Sequence, residues 1–175
     1  MVRTAASDVD EVFEVTTSAT PISCEQRVTV SVSDGARLGG EFAVGLGAHT
    51  SGIVSHNADP DGSYGSMKTV LEAMPNVGAG NVVAVTKVVT DATKETAYWD
   101  ITFAPALGDL PEMTFDAIEN DLTGTGASLA IERTVRGNVL QGSFRVAFEG
   151  HTTAAIAHDA RCARAPRPTG PRQHP

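Results

Sequence analysis

Positive charge is scarce in this sequence. Its 13 lysine and arginine residues are outnumbered by 21 aspartate and glutamate residues, which gives a formal net charge of −8. Binding to nucleic acid needs clustered Lys and Arg, and the sequence has no such cluster. No apolar run approaches the roughly 18 residues that a membrane-spanning helix needs. We therefore expect neither nucleic acid nor insertion into a membrane.

The sequence also lacks export and glycosylation signals. Its opening, MVRTAASDVDEV, has no apolar core of a signal peptide. Either the protein stays inside the cell or Met1 is not the start of the precursor. No Asn-x-Ser/Thr motif occurs, so N-glycosylation is not expected.

Cysteine is nearly absent, and the two that occur, Cys24 and Cys162, stand near opposite ends of the chain. A disulfide within the chain, a link between neighbouring subunits and two free thiols all fit this spacing, because spacing alone does not assign pairing.

Catalytic signatures are missing as well. The sequence has no GxSxG motif, and neither cysteine has a neighbouring histidine that would lower its pKa. Leu122–Ala127 is rich in glycine and threonine but lacks the lysine of a phosphate-binding loop, so it predicts a turn. We expect a protein that is not an enzyme and holds no catalytic residue.

One stretch occurs twice. Gly40–Ala58 returns as Gly142–Ala160, an offset of 102 residues, with 7 identities in 19 positions. The identities include Phe42 with Phe144, and Val44 with Val146. A fixed period of this kind indicates an array of similar modules.

Periodicity predicts mostly strands around this repeat. Alternating apolar residues indicate strands at Asp10–Thr17, Gln26–Ser33 and Thr96–Ala104, the last with Trp99, Ile101 and Phe103 facing inward. Asn81–Val89 is so rich in valine that burial on much of both faces is expected. Met67, Val70, Leu71 and Met74 form the stripe of a short helix, which Ser63 or Ser66 caps and Pro75 ends.

The period of 102 also predicts the domains. Residues 8–108 form one complete module with its helix at 63–74, and residues 109–160 supply a second, partial copy made of strands and a hairpin. Residues 163–175, which contain four prolines and three arginines, are expected to form an extended tail.

Several motifs resemble a known family in their order. They are GSFxVxFxGxTTxxIxxDA at Gly142–Ala160, MKTVLEAMPNVG at Met67–Gly78, YWDITF at Tyr98–Phe103, GDLPEMT at Gly108–Thr114 and LTGTGA at Leu122–Ala127. This pattern resembles the repeat of about one hundred residues that occurs in tandem in very large surface and extracellular-matrix proteins of algae and oomycete-like protists.

The resemblance covers about residues 35–160. It implies immunoglobulin-type or filamin-type β-sandwich modules with one inserted helix, about 1.5 copies here, and an extracellular or cell-surface location. It brings no catalytic residues. The chain departs from the family in its brevity and in the stretch that follows the first repeat copy.

That stretch, Asn57–Lys68, is tested as a calcium loop. Asn57, Asp59 and Asp61 occupy the first, third and fifth places of an EF-hand-like loop, and a glycine follows. The twelfth place, which should supply a bidentate carboxylate, is Lys68. Only a weak calcium site fits, and the alternative is a solvated turn that leads into the helix cap. No other cofactor is predicted.

The repeated histidines do not form a predicted metal site. His49 and His56 are seven residues apart, as are His151 and His158. An odd separation directs two side chains of one straight strand to opposite faces.

We therefore predict a structural protein, a subunit of a filament, sheath or cell-surface appendage that assembles head-to-tail with itself through β-strand contacts. If residues 8–108 form one complete module, the apolar side chains of the partial second copy would lack cover, and unpaired edges recruit another chain. The predicted contact residues are Phe144, Val146, Phe148 and Ile156. The alternative is a monomeric extracellular adhesion module that binds glycan or protein through its loops.

Overall fold

The protein forms two compact units in a computed structural model that describes residues 14–115 and 120–160. One unit comprises residues 20–139, and the other comprises residues 1–19 with 140–175. The structure is mostly β, with several antiparallel sheets and one short α-helix. No helix in the described residues is long and apolar enough to cross a membrane.

A four-stranded antiparallel sheet is the centre of the first unit, with strand order β6-β7-β1-β9. Its strands are β1 (Glu25–Ser31), β6 (Val82–Asp91), β7 (Thr96–Phe103) and β9 (Ser128–Val135). Val28 of β1 pairs with Trp99 of β7 on one side and with Ile131 of β9 on the other. The predicted alternation in β1 and β7 is confirmed, because Val28, Trp99 and Ile101 are fully buried.

The first repeat copy folds as a hairpin of short strands in the same unit. These are β2 (Glu41–Phe42), β3 (Val44–Leu46), β4 (His49–Thr50) and β5 (Val54–Ser55). β2 pairs with β5 and β3 with β4, while β8 (Thr114–Phe115) joins the other edge of β3. The side chains of Phe42, Val44, Leu46 and Val54 are fully buried, so this hairpin supplies one wall of the core.

The helix α1 (Met67–Glu72) forms as its periodicity predicts. Ser66 is the N-cap, and its hydroxyl accepts a hydrogen bond from the Thr69 N–H. Met67 and Leu71 are fully buried in the core. A short 3-10 helix, Pro105–Leu107, follows β7.

The strand predicted at Asn81–Val89 forms, but its expected burial on both faces is wrong. This stretch becomes β6, an edge strand of its sheet, and only Val82 within it is buried. Val83 and Val89 are exposed. A high valine content indicates a preference for extended backbone, whereas burial depends on which elements pack against the strand. Within the described residues, β6 has a neighbouring strand on one side only.

The predicted strand at Asp10–Thr17 is not observed where the chain is described. Residues 14–17 are exposed and belong to no strand, and the remainder lies outside the described residues. The predicted tail at 163–175 also lies outside them.

The compact units do not coincide with the modules predicted from the repeat. Residues 109–139, which belong to the second copy by sequence, contribute β8 and β9 to the first unit. The predicted boundary at Gly108 therefore passes through a compact unit, because β9 completes the sheet that β1 begins.

The second unit contains the second repeat copy. Its strands are β10 (Ser143–Phe144), β11 (Ala147–Phe148), β12 (His151–Thr152) and β13 (Ile156–Ala157). β10 pairs with β13 and β11 with β12. Thr17 also belongs to this unit, and its hydroxyl donates a hydrogen bond of 3.0 Å to the carbonyl oxygen of His158.

Candidate subunit-contact surface

The two repeat hairpins have the same backbone pairing. Phe42 pairs with Val54, and 102 residues later Phe144 pairs with Ile156. The hydrogen bond from His56 N–H to Gly40 O returns as His158 N–H to Gly142 O, each 3.1 Å long. The local sequence therefore specifies the hairpin wherever it occurs.

A side-chain clamp is repeated as well. The Ser51 hydroxyl accepts a hydrogen bond from the Val44 N–H at 3.0 Å, and the Thr153 hydroxyl accepts one from the Val146 N–H at 3.1 Å. Serine and threonine both supply the oxygen that this position needs.

A glycine at the start of each hairpin shows where the two surroundings differ. Gly40 and Gly142 both have positive φ, 82° and 95°, which favours glycine. A Cβ on Gly40 would lie 2.1 Å from the Asp121 carbonyl oxygen. A Cβ on Gly142 would meet nothing within 4 Å in the described part of the chain.

Burial separates the hairpins most clearly. Val44 and Leu46 are 0% exposed, whereas their counterparts Val146 and Phe148 are 38% and 61% exposed. The other two predicted contact residues, Phe144 and Ile156, are half-buried. The second hairpin thus presents to solvent an apolar face that the first hairpin buries.

The cysteines differ in what the structure describes of them. Cys24 is fully buried with a free thiol in the described residues, and the Gln26 amide donates to its sulfur at 3.7 Å. Cys162 lies outside the described residues. The pairing of the two stays a prediction.

The residues of the predicted calcium loop have partners of their own. The Ser55 hydroxyl donates to Asn57 Oδ1, and the Ser63 hydroxyl donates to Asp59 Oδ2. Lys68 Nζ lies 3.3 Å from Asp61 Oδ2, so the lysine in the twelfth place contacts one of the predicted ligands. Within residues 14–115 and 120–160, no group of three or more His, Cys, Asp and Glu is arranged to hold a metal ion.

Glu95 is the centre of a polar cluster that sequence reasoning missed. Its carboxylate accepts hydrogen bonds from Arg37 and from His56 Nε2, the latter at 2.9 Å. His56 Nδ1 lies 2.9 Å from the Gly40 carbonyl oxygen, so both ring nitrogens face acceptors.

The cluster fixes the β6–β7 turn against the loop that precedes β2. Glu95 has a φ of 58°, a conformation that costs energy in a residue other than glycine. Its side-chain contacts with Arg37 and His56 hold it there. No signal in the sequence joins Arg37, His56 and Glu95, because they are far apart along the chain and share no motif.

Glu95 makes stability depend on pH. Hydrogen bonds from Arg37 and then His56 lower the pKa of Glu95 from 4.5 to about 2. A carboxylate with a lowered pKa stabilises the fold above pH 4.5, and that contribution is lost as the pH falls toward 2. We expect Glu95→Gln to be less stable than wild type at neutral pH.

Urea unfolding midpoints of wild type and Glu95→Gln, measured between pH 7 and pH 2, test this expectation. The difference between the two midpoints should become smaller over the lower half of that pH range. Glu112→Gln is the control, since it changes the same chemical group at an exposed site. A difference in midpoint that stays constant down to pH 2 would contradict the assigned role of Glu95.

No protein-family profile matches this chain, and no curated protein matches it either. The main structural clue to function is the difference in burial between the two hairpins.

Proposed function

We propose that this chain is a structural protein, a subunit of an extracellular filament, sheath or cell-surface appendage whose copies assemble head-to-tail through β-strand contacts. We further propose that residues 20–139 form an immunoglobulin-like β-sandwich. In this proposal the protein is not an enzyme, and its partner is a second copy of itself.

The observation that carries the proposal is the different burial of two hairpins with one register. Val44 is fully buried, whereas Val146, in the same place of the second hairpin, is 38% exposed. A contiguous exposed apolar face on a folded element is typical of an interaction site. Phe144, Val146 and Phe148 alternate in sequence with polar or small residues, so an extended chain would place them on one face and one register would bury them together.

The number of apolar side chains on the second hairpin suits a reversible contact. Covering about three such side chains contributes on the order of 5–8 kcal/mol before the cost of association is subtracted. A contact of this strength needs reinforcement for a durable polymer, and a disulfide through Cys162 would supply it. Phe144, Val146, Phe148 and Ile156 remain the proposed contact residues.

Two aspartate substitutions at equivalent positions test this function. Val146→Asp places a charge on the exposed face, so we expect a folded protein that has lost the hairpin contact and forms smaller assemblies than wild type. Val44→Asp places the same charge at a fully buried site, so we expect loss of the folded state. Light scattering and thermal melting on one sample of each protein give the mass and the stability.

Two results would overturn the hairpin contact. One is a Val146→Asp protein that has the mass of wild type under all conditions. The other is a Val146→Asp protein that melts much earlier at unchanged mass, because the hairpin would then pack against its own chain.

A groove beside α1 favours a second function, a monomeric extracellular module that binds protein or glycan. The groove has a volume of about 390 Å³ and is lined by Ile53, Tyr64 and Val70, among others. Tyr64 is fully exposed, and tyrosine is enriched in binding interfaces. A strict monomer at high protein concentration would favour this function over assembly.

A further inference from the structure

We infer that the two edges of the four-stranded sheet are complementary, so that β6 of one chain pairs with β9 of a second copy. This inference rests on the proposed assembly function and adds a contact that is separate from the second hairpin. It concerns only residues 20–139.

Both edges are open in the described part of the chain. The strand order β6-β7-β1-β9 leaves one side of β6 and one side of β9 without a strand partner there. An open edge presents unpaired N–H and C=O groups, which proteins commonly guard with lysine or proline. Neither strand contains proline, and the one lysine of β6 does not guard its edge.

That lysine, Lys87, is turned toward the interior. Its ammonium donates a hydrogen bond of 2.7 Å to the Asn57 carbonyl oxygen and lies 5.4 Å from the centre of the Trp99 ring. Burial lowers the pKa of Lys87, which agrees with this position. The exposed apolar side chains of Val83, Val88 and Val89 are left along the strand.

The directions of the strands allow the pairing to propagate. β1 is antiparallel to both β7 and β9, and β6 is antiparallel to β7. β6 therefore runs opposite to β9, so β6 of one chain extends β9 of the next as another antiparallel neighbour. A contact between two different edges does not close on itself.

The regular lengths of the edges also match. The register of β6 with β7 is uninterrupted over the six residues Ala84–Val89. The register of β9 with β1 is uninterrupted over the six residues Ser128–Arg133. In the register that keeps the inner faces together, the two stretches overlap over five residues, a span of about 17 Å at about 3.3 Å per residue.

An open cleft lies beside each edge. The cleft beside β6 has a volume of about 230 Å³, with Val89, Ala97 and the charged Lys87 in its wall. The cleft between β8 and β9 has a volume of about 420 Å³, with Phe115 and Leu129 in its wall. Joining the edges would bring the apolar side chains of the two clefts toward each other.

The faces of the strands restrict the register. Val89 shares the inner face with Ala97, its partner on β7, and Leu129 shares it with Val30, its partner on β1. The apolar side chains of the two clefts can meet only if inner-face residues of β6 lie beside inner-face residues of β9. A shift of the register by one residue would place inner-face residues beside outer-face residues. We place Val89 opposite Leu129, which puts Val88 opposite Ala130 on the outer face.

A mixing experiment with two edge variants tests the inference. Val89→Lys guards the β6 edge and Ala130→Lys guards the β9 edge, and both sites are exposed, so both proteins should fold. With Val146→Asp added to both, so that the hairpin contact is removed as well, each variant alone should have the 18.2 kDa mass of one chain. An equal mixture should give a complex of two chains, because each variant keeps the edge that the other has lost.

Val139→Lys is the matched control, since it replaces an exposed valine with the same charge at a site that lies on neither edge. It should assemble as wild type does. Circular dichroism of every variant verifies the fold, and Val88→Lys replaces Val89→Lys if the latter does not fold.

The outcomes separate this inference from the hairpin contact. Edge variants that assemble like wild type, or that stay single chains when mixed, overturn the edge pairing. If Val146→Asp assembles normally while the edge variants do not, the hairpin contact fails and the edge pairing stands. If wild type is a single chain at all concentrations, both fail.

Discussion

A chain of residues 20–108 is expected to lose its folded structure, whereas a chain of residues 20–139 is expected to keep it. The shorter chain contains β1 to β7, α1 and the 3-10 helix. It lacks β8 and β9, which come from the second period but pair with β3 and β1. Loss of β9 turns β1 from a central strand into an edge strand.

Gln26 is a further reason to expect the shorter chain to be unstable. Its fully buried amide donates to the Pro111 carbonyl oxygen at 2.8 Å and accepts from the Met113 N–H at 2.6 Å. Truncation at Gly108 removes both partners. A buried polar group without a partner costs about 1–3 kcal/mol, against a total stability of about 5–15 kcal/mol.

Circular dichroism and thermal melting of the two chains test this expectation. The longer chain should give one cooperative transition, and it serves as the control for expression and solubility. A cooperative transition in the shorter chain would show that the repeat boundary at Gly108 is also a folding boundary.

Trp99→Ala is expected to destabilise the protein by about 3–5 kcal/mol, which is the range for large-to-small changes in a core. The indole is fully buried, and its ring centre lies 6.0 Å from that of Phe42. Its Nε1–H donates to the Ala58 carbonyl oxygen at 3.2 Å, so the substitution also removes a buried hydrogen bond. The melting temperature should fall by on the order of 10–20 °C.

Trp99→Phe is the matched variant for this test. It keeps an aromatic ring but loses the N–H, so it should lose less stability than Trp99→Ala. Because Trp99 is the single tryptophan, the emission of the native protein should be blue-shifted relative to that of the unfolded protein. An unchanged melting temperature, or native emission equal to unfolded emission, would contradict the buried position of Trp99.

Local pattern was sufficient to predict several elements. The stripe from Met67 to Met74, with Ser66 before it, gave the helix and its cap, because one face of a helix and one capping oxygen are local features. The alternation of Val28 and Val30 gave the buried face of β1 for the same reason. The repeat gave two hairpins in one register, since turn and strand pairing lie within about nineteen residues.

The sequence by itself therefore determined strands β1, β6 and β7, the helix and the repeated hairpin, but its strand at Asp10–Thr17 is not observed where the chain is described. Only the tertiary structure decided that β6 lies at an edge, that β9 completes the sheet of β1, and that Glu95 joins Arg37 and His56. It also decided that Val44 is buried and Val146 is exposed. Periodicity records what one segment does with its own neighbours along the chain, whereas burial and polar pairing depend on residues that arrive from far away in sequence.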